Sequence, residues 1–142
     1  MNNPLSRNHF IVEWGGARTS VAEVCGLGIE LEAPAFRDSG SPANSATSMP
    51  GMLRYPRLVL RRTVQPGDND FFNWINTAQF NSVTRRDVTV RLLDSSGNPV
   101  VVWTFRNAYP VKLEYSPLES RDSAPMMETL ELAHDGMTVA NS

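Results

Sequence analysis

A chain of 142 residues with 41% hydrophobic side chains has the size and apolar content of one domain, here taken as residues 1–142, and this excludes global disorder. A formal charge of −2 gives no reason to expect nucleic acid as the main partner, and no run approaches the roughly 18 apolar residues of a membrane span. Charge is uneven along the chain: residues 1–53 carry −2, residues 54–91 carry +4 and residues 92–142 carry −4, which suits either self-association through complementary surfaces or ordinary solvated charge.

In chain order, His9–Trp14 reads as a strand ended by the turn Gly15-Gly16. Ser20–Cys25 and Gly28–Phe36 follow as strands, with Gly26 and Gly28 marking a bulge or tight bend between them. Next comes a fifteen-residue stretch, Arg37–Gly51 (RDSGSPANSATSMPG), with Met49 as its only large apolar residue. Connections beyond about 12–15 residues are uncommon within compact domains and are usually functional or disordered. Leu53–Val64 resumes strand alternation, with Leu58, Leu60 and Arg62 set against Arg57, Val59 and Arg61.

A helix is predicted over residues 69–80, after the turn Pro66-Gly67 and with Asp68 or Asn69 able to cap its first amides. Phe71, Trp74, Ile75 and Ala78 share one face, which reads as a plug over the open end of a barrel or sandwich. Phe72 and Phe80 point elsewhere, toward a partner subunit or a second core contact. Arg85–Leu93 and Pro99–Asn107 are strands joined by the hairpin loop Asp94–Asn98. Val111–Tyr115 and a strand near Met126–Ala133 complete the chain, separated by the polar connection Ser116–Ala124. The fold class is therefore mainly β: antiparallel sheets with one face buried and one wet, plus one helix.

No catalytic or metal-binding constellation is present in this pattern, so no enzyme activity and no cofactor or metal are expected. His9 and His134 lie at opposite ends of the chain and read as strand-edge or surface histidines. Cys25, in VAEVCGL, reads as a buried free thiol suited to a reducing cytoplasm. Gly26-Leu27-Gly28 lacks both the third glycine and the helix of a dinucleotide fingerprint, and Glu30 and Glu32 read as alternating exposed acids. Arg54, Arg57, Arg61, Arg62, Arg85, Arg86 and Arg91 lie in segments able to pair as neighbouring strands and form a basic stripe. Such a stripe suits an acidic protein surface or phosphate, and the alternative is a solvated face with cross-strand ion pairs. The N-terminal MNNPLSRNHF lacks the apolar run of a signal peptide, so synthesis in the cytoplasm without a cleaved leader, and no membrane anchor, are expected.

The order HFIVEW, AEVCGLGIELE, MPGMLRYPRLVLRRTV, NDFFNWIN, TRRDVTVRLLDSSGNPVVVWTFRNAYPVKLEYSP and METLELAHDGMTV resembles the tail-tube family of contractile phage tails and contractile injection systems, most nearly the inner-tube subunits of extracellular phage-tail-like particles. The resemblance implies two packed antiparallel sheets forming a barrel-like body with one helix and a long extended assembly loop over about residues 37–52. It implies a structural subunit of six-membered rings, stacked into a tube that a contracting sheath drives through a target envelope. The implied partners are further copies of the chain, a sheath protein, baseplate or spike and cap proteins, and a possible luminal cargo, in a phage tail or released particle. The implied inter-subunit segment comprises Asp38, Ser39, Gly40, Ser41 and Pro42, with Met49, Pro50, Gly51 and Met52 at its anchoring end. Phe72, Phe80, Arg61, Arg62, Arg85 and Arg86 are further candidate interface residues, and Glu119 and Asp122 are candidates for an outer wall facing a basic sheath surface. A tube initiator or terminator joining the tube to a spike or cap is the nearest alternative, and a small cell-wall-binding β-module is an alternative from a different class.

Overall fold

The computed structural model describes residues 5–7, 9–15, 17–33, 51–80 and 83–141. Its strands are β1 (Phe10–Trp14), β2 (Ala17–Thr19), β3 (Glu23–Cys25), β4 (Glu30–Leu31), β5 (Leu53–Arg54), β6 (Leu58–Thr63), β7 (Arg86–Leu93), β8 (Pro99–Tyr115), β9 (Met127–Ala133) and β10 (Gly136–Asn141). Helix α1 (Asp70–Asn76) lies between β6 and β7 and runs on into a 3-10 turn, Thr77–Phe80. The protein is mainly β with antiparallel pairing throughout, as its alternating sequence predicts.

One hydrogen-bonded path, β2-β1-β7-β8-β9-β6-β3, carries the body, with β10 added alongside β8. The seventeen-residue β8 organises it. Its first half pairs with β7 and its second half with β9, so the same strand belongs to both halves of the body. Strands β9 and β10 run along β8 in one register, from Pro110↔Leu132 and Tyr109↔Ala133 on to Gly136↔Arg106 and Asn141↔Val101. The pair is in effect a single long ribbon that turns with β8 from one sheet into the other.

Two strands predicted at 99–107 and 111–115 are thus continuous. The break expected near Asn107 is a bulge: Asn107 takes φ 53°, its amide N–H donates to Asp87 Oδ1 at 3.0 Å, and its side-chain amide donates to Asp135 Oδ2 at 3.0 Å. Asparagine tolerates this left-handed conformation better than most residues. Pro110 lies beyond the last β7 partner and next to a register shift in the β9 pairing, where a missing N–H costs least.

The core gathers the inward residues of both halves: Val12, Trp14, Leu58, Leu60, Val88, Val90, Phe105, Ala108, Leu130 and Leu132, closed by Phe71 and Trp74 of α1. Trp14 stacks on Trp74 at 5.0 Å and meets Phe71 edge-on at 5.7 Å. The helix covers the body as expected, but its buried face is narrower than predicted: Ile75 is half-buried and Ala78 exposed. Its start follows the predicted chemistry. Gly67 has φ 80° in the turn, and Asp68 Oδ1 accepts the Asp70 amide at 3.1 Å.

Arg62 departs from the predicted surface stripe. It falls on the buried face of β6, only 5% exposed, directly across from Glu128 of β9, which is 3% exposed. Its Nε donates to Glu128 Oε1 at 2.7 Å, while Nη1 and Nη2 donate to both oxygens of Asp68 at 3.1 and 3.0 Å. The guanidinium lies 3.9 Å from the centre of the Phe71 ring. Backbone donation from Asp70, followed by the Arg62 contacts, holds the Asp68 carboxyl below its ordinary range despite some burial.

A buried charge stripped of its partner is far costlier than the pair removed together. We therefore expect Arg62→Met to lose about 3–5 kcal/mol of stability in urea unfolding, with much of that recovered when Glu128→Leu is added. Equal losses in the single and double variants would refute this account of the pair.

Candidate assembly surface

Strands β4 and β5 form a separate two-stranded arm rather than joining the body. Glu30 pairs with Arg54 and Leu31 with Leu53, and the Glu32 N–H donates to the Met52 carbonyl at 2.9 Å. Cross-strand partners share a face, so Leu31 and Leu53 lie together, with Ile29 on the same side by alternation. The opposite side carries Glu30, Glu32 and Arg54, the last two joined at 3.2 Å.

Two glycines set the close approaches. Gly26 takes φ 91°, and a Cβ there would lie 2.0 Å from the Arg57 carbonyl oxygen. A Cβ on Gly51 would lie 1.9 Å from the Glu32 carbonyl oxygen, so the two arm strands can come together only over a glycine. The first contact seats the arm on the body and the second closes the arm itself.

The arm's apolar residues face solvent: Ile29 is 52% exposed, Leu31 53%, Leu53 55% and Met52 76%. An isolated two-stranded ribbon is marginal in water, and grouped exposed apolar residues mark surfaces that another molecule covers. Next to the arm's root, Leu27, Val24, Val21, Phe10, Leu92 and Trp103 border a cleft of about 660 Å³ between the two halves of the body. Cys25 opens onto the same cleft and is exposed, not buried as the sequence suggested, because the short edge strand β3 turns it outward. Slight desolvation of the sulfur at the cleft edge and the nearby Glu23 carboxylate push its thiol up from the ordinary value, so the thiolate is disfavoured.

Of the predicted assembly segment, Asp38, Ser39, Gly40, Ser41, Pro42, Met49 and Pro50 lie outside the described residues, while Gly51 and Met52 form the return strand's entry into the arm. The strand predicted over 28–36 is described as the two residues of β4, with residues 34–36 outside the described set. Phe72 stands exposed on the outer side of α1, and the side chain of Phe80 lies outside the described residues. Glu119 and Asp122 are exposed in a turn closed by the Asp122 N–H to the Glu119 carbonyl at 3.1 Å, beside Leu118, which is 89% exposed.

The arginines do not form one stripe, because β6 and β7 are not neighbours. Arg57 pairs with Glu131 at 3.2 Å, Arg91 with Glu13, and Arg85 lies 3.9 Å from Asp135 and over the Tyr109 ring. Arg86 lies 5.1 Å from the rings of Trp14 and Trp74, and Arg61 is exposed opposite Glu23. Local cross-strand pairing, the bland alternative for these residues, accounts for most of them. The exposed apolar side of the arm and Leu118 were missed in the sequence, although the alternation Ile29, Leu31 and the following MLRYP carried the signal for the first.

Among the described residues, no group of three or more His, Cys, Asp or Glu side chains is placed to hold a metal ion, and no helix is long and apolar enough to cross a membrane. Residues 6–138 match the model of the T4-like virus tail tube protein gp19 family. Against the curated proteins no match is found. Among solved structures, a chain of the anti-feeding prophage cap, the AFP tube terminating cap, is similar with TM-score 0.87 and 25% identity, covering 100% of this chain and 94% of that one. A chain of the sheath-tube complex of an extracellular contractile injection system, PVC, in its extended state is similar with TM-score 0.84 and 26% identity, covering 98% and 93%. A chain of the PVC sheath/tube terminator in the extended state is similar with TM-score 0.85 and 26% identity, covering 98% of each.

Gly51→Ala is expected to speed exchange of the Glu32 amide by roughly tenfold or more while leaving the melting temperature of the body nearly unchanged, since the arm is separate from it. Gly26→Ala is expected to lower that melting temperature, by about 1 kcal/mol or more of stability, because it strains the chain and strikes the Arg57 carbonyl. Hydrogen exchange with mass spectrometry and thermal melts separate the two effects, and a reversed pattern would contradict the division into arm and body.

Proposed function

Because the chain belongs to the T4-like virus tail tube protein gp19 family, we propose that it is a subunit of the inner tube of a contractile particle, in which copies close into rings and the rings stack. Its role in that family is structural and not enzymatic. The observation that carries the reading is the arm, with apolar residues displayed to solvent on a scaffold too small to be stable by itself. A neighbouring copy covering Ile29, Leu31 and Leu53 supplies the burial that the isolated chain lacks. The contact is heterologous, since the arm of one copy meets a different surface of the next, and such contacts close into rings or propagate as stacks.

The segment 38–52 continues from this arm and is read here as part of the same contact. The proposal extends to six copies per ring, a surrounding sheath, and baseplate and cap partners, and the likeness to chains of the AFP cap and the PVC sheath-tube complex supports the cap and the sheath. The particle is thus a phage tail or an extracellular contractile injection particle. A tube-terminating role is the second reading, favoured by the similarity to chains of the AFP cap and the PVC terminator. The two differ in growth: a tube subunit stacks into long tubes, whereas a terminator makes rings that stop.

The paired substitution Leu31→Ser with Leu53→Ser tests the arm. Both side chains are more than half exposed, so the isolated chain should keep its stability within about 0.5 kcal/mol. The rings and tubes expected of the parent chain in negative-stain electron microscopy should be lost in the variant or shifted to roughly tenfold higher protein concentration. A variant that assembles as the parent does would sink the proposal that this face joins subunits.

A further inference from the structure

His134 occupies an unusual place for a residue expected at the surface. It sits at the joint between β9 and β10, with its ring 4.9 Å from Phe105 of β8 and 5.1 Å from Tyr55. Both ring nitrogens are buried, and neither has a hydrogen-bond partner of good geometry. Tyr55 directly follows β5 and opens the short connection to β6, so it stands at the root of the arm. The other arm strand is rooted at the same place, where Gly26 packs on the Arg57 carbonyl. The imidazole therefore ties the arm's root to the long β8–β9–β10 ribbon, beside the Arg57–Glu131 ion pair.

We propose that His134 is an acid-sensitive latch: neutral, it holds Tyr55 and the root of the arm against the ribbon; protonated, it leaves the aromatic slot and frees the arm. A neutral imidazole packs between two rings as a flat, weakly polar group. An imidazolium with two buried N–H donors, approached only by the Gly136 and Pro56 backbone and by Asp135, bears a desolvation cost that these neighbours offset in part. Burial pushes the His134 pKa below its ordinary value of 6.5, against smaller opposing contributions from the backbone at Gly136 and Pro56 and from Asp135. The sign follows: the released form binds the proton more tightly than the latched form, so the latch is fully set above about pH 6.5 and weakens as pH falls below it.

The surrounding charges leave this direction in place. Asp135 favours the cation, but it already accepts the Asn107 side-chain amide and lies near Arg85. From β8, Arg106 adds a positive charge beside Gly136. From the arm side, Arg54 is paired with Glu32 and Arg57 with Glu131, and the Tyr55 hydroxyl is the remaining titratable group. In the proposed tube the arm is the joining element, so acid would act on the subunit before it acts on the ring.

The test uses the full chain without assembly, so its outcome does not depend on whether rings form. Hydrogen exchange of residues 27–32 and 52–57 is compared at about pH 7.5 and about pH 5.5 after correction for intrinsic rates. The parent chain should open at least about threefold more often in acid, and His134→Phe, which fills the slot without titrating, should show no such change. An unchanged parent, or an equal acid response in His134→Phe, overturns the latch. Should His134→Phe fail to fold, the His134 imidazole is titrated in the parent by NMR. A pKa below 6.5 with the Tyr55 ring shifting on the same curve supports the latch, and a pKa of 6.5 or above, or an independent Tyr55, refutes it.

Discussion

The pairing of Arg62 with Glu128 fixes the relation between the helix and the sheet. Both groups are almost wholly buried, and neither can be placed there without the other. Because the guanidinium turns one donor of each Nη to Asp68, the residue that also takes the first helical amide, the start of α1 is tied to one position over β6 and β9. Phe71 then lies under the guanidinium and Trp74 on Trp14, so the helix has little freedom to slide or rotate. A hydrophobic pair at the same site would hold β6 to β9 equally well, but it would not select the turn Gln65–Asp68 as the place where the helix begins. Arg86 closes the far side of the same cluster, over both tryptophans.

The second constraint is length. Strand β8, with the β9–β10 run beside it, is long enough to serve both halves of the body, and its bulge at Asn107 lets one strand bend between them. This leaves the described residues between β3 and β6 outside the body's pairing. Residues 26–33 and 51–57 leave and re-enter at one root, defined by Gly26 on one side and Tyr55 on the other. The arm is thus a projection from a rigid frame, and its position depends on few contacts.

Much of this was legible in the sequence, and the misses have physical causes. The strands at β1, β6, β7 and β9 follow from clean alternation, and the helix from Phe71 and Trp74 with Asp68 ahead of them. The break expected at Asn107 failed because asparagine and proline read as breakers in isolation, whereas Asp87 of β7 and Asp135 of the β9–β10 joint hold the bulge open. Strand β10 was overlooked because its pairing depends on β8 and not on its own short, mixed sequence. Arg62 alternates with Leu58 and Leu60, so its burial was visible as a pattern, but its charge argued for the surface until Glu128 appeared opposite. The arm was flagged by the long polar stretch that adjoins it in the sequence, while its exposed apolar side was hidden among residues read as an ordinary strand.

The paired arginines also decide which force drives association. Had they lined one face, charge would have been the natural organiser, and assembly would weaken steeply with salt. Most of them are instead matched within the chain, at Glu32, Glu131, Glu128, Asp68 and Glu13, so little unbalanced charge remains for a neighbour. The arm groups four exposed apolar side chains, Ile29, Leu31, Met52 and Leu53, and burial of such area yields roughly 25 cal/mol per Å² wherever it is covered. A marginal ribbon gains this only when a second copy is present, and ordering it costs about 1–2 kcal/mol per residue of backbone entropy. In the assembly proposed above, a neighbouring copy would reinforce the arm's own weak pairing, which favours closed arrays in which every arm is seated over open chains that leave one arm uncovered.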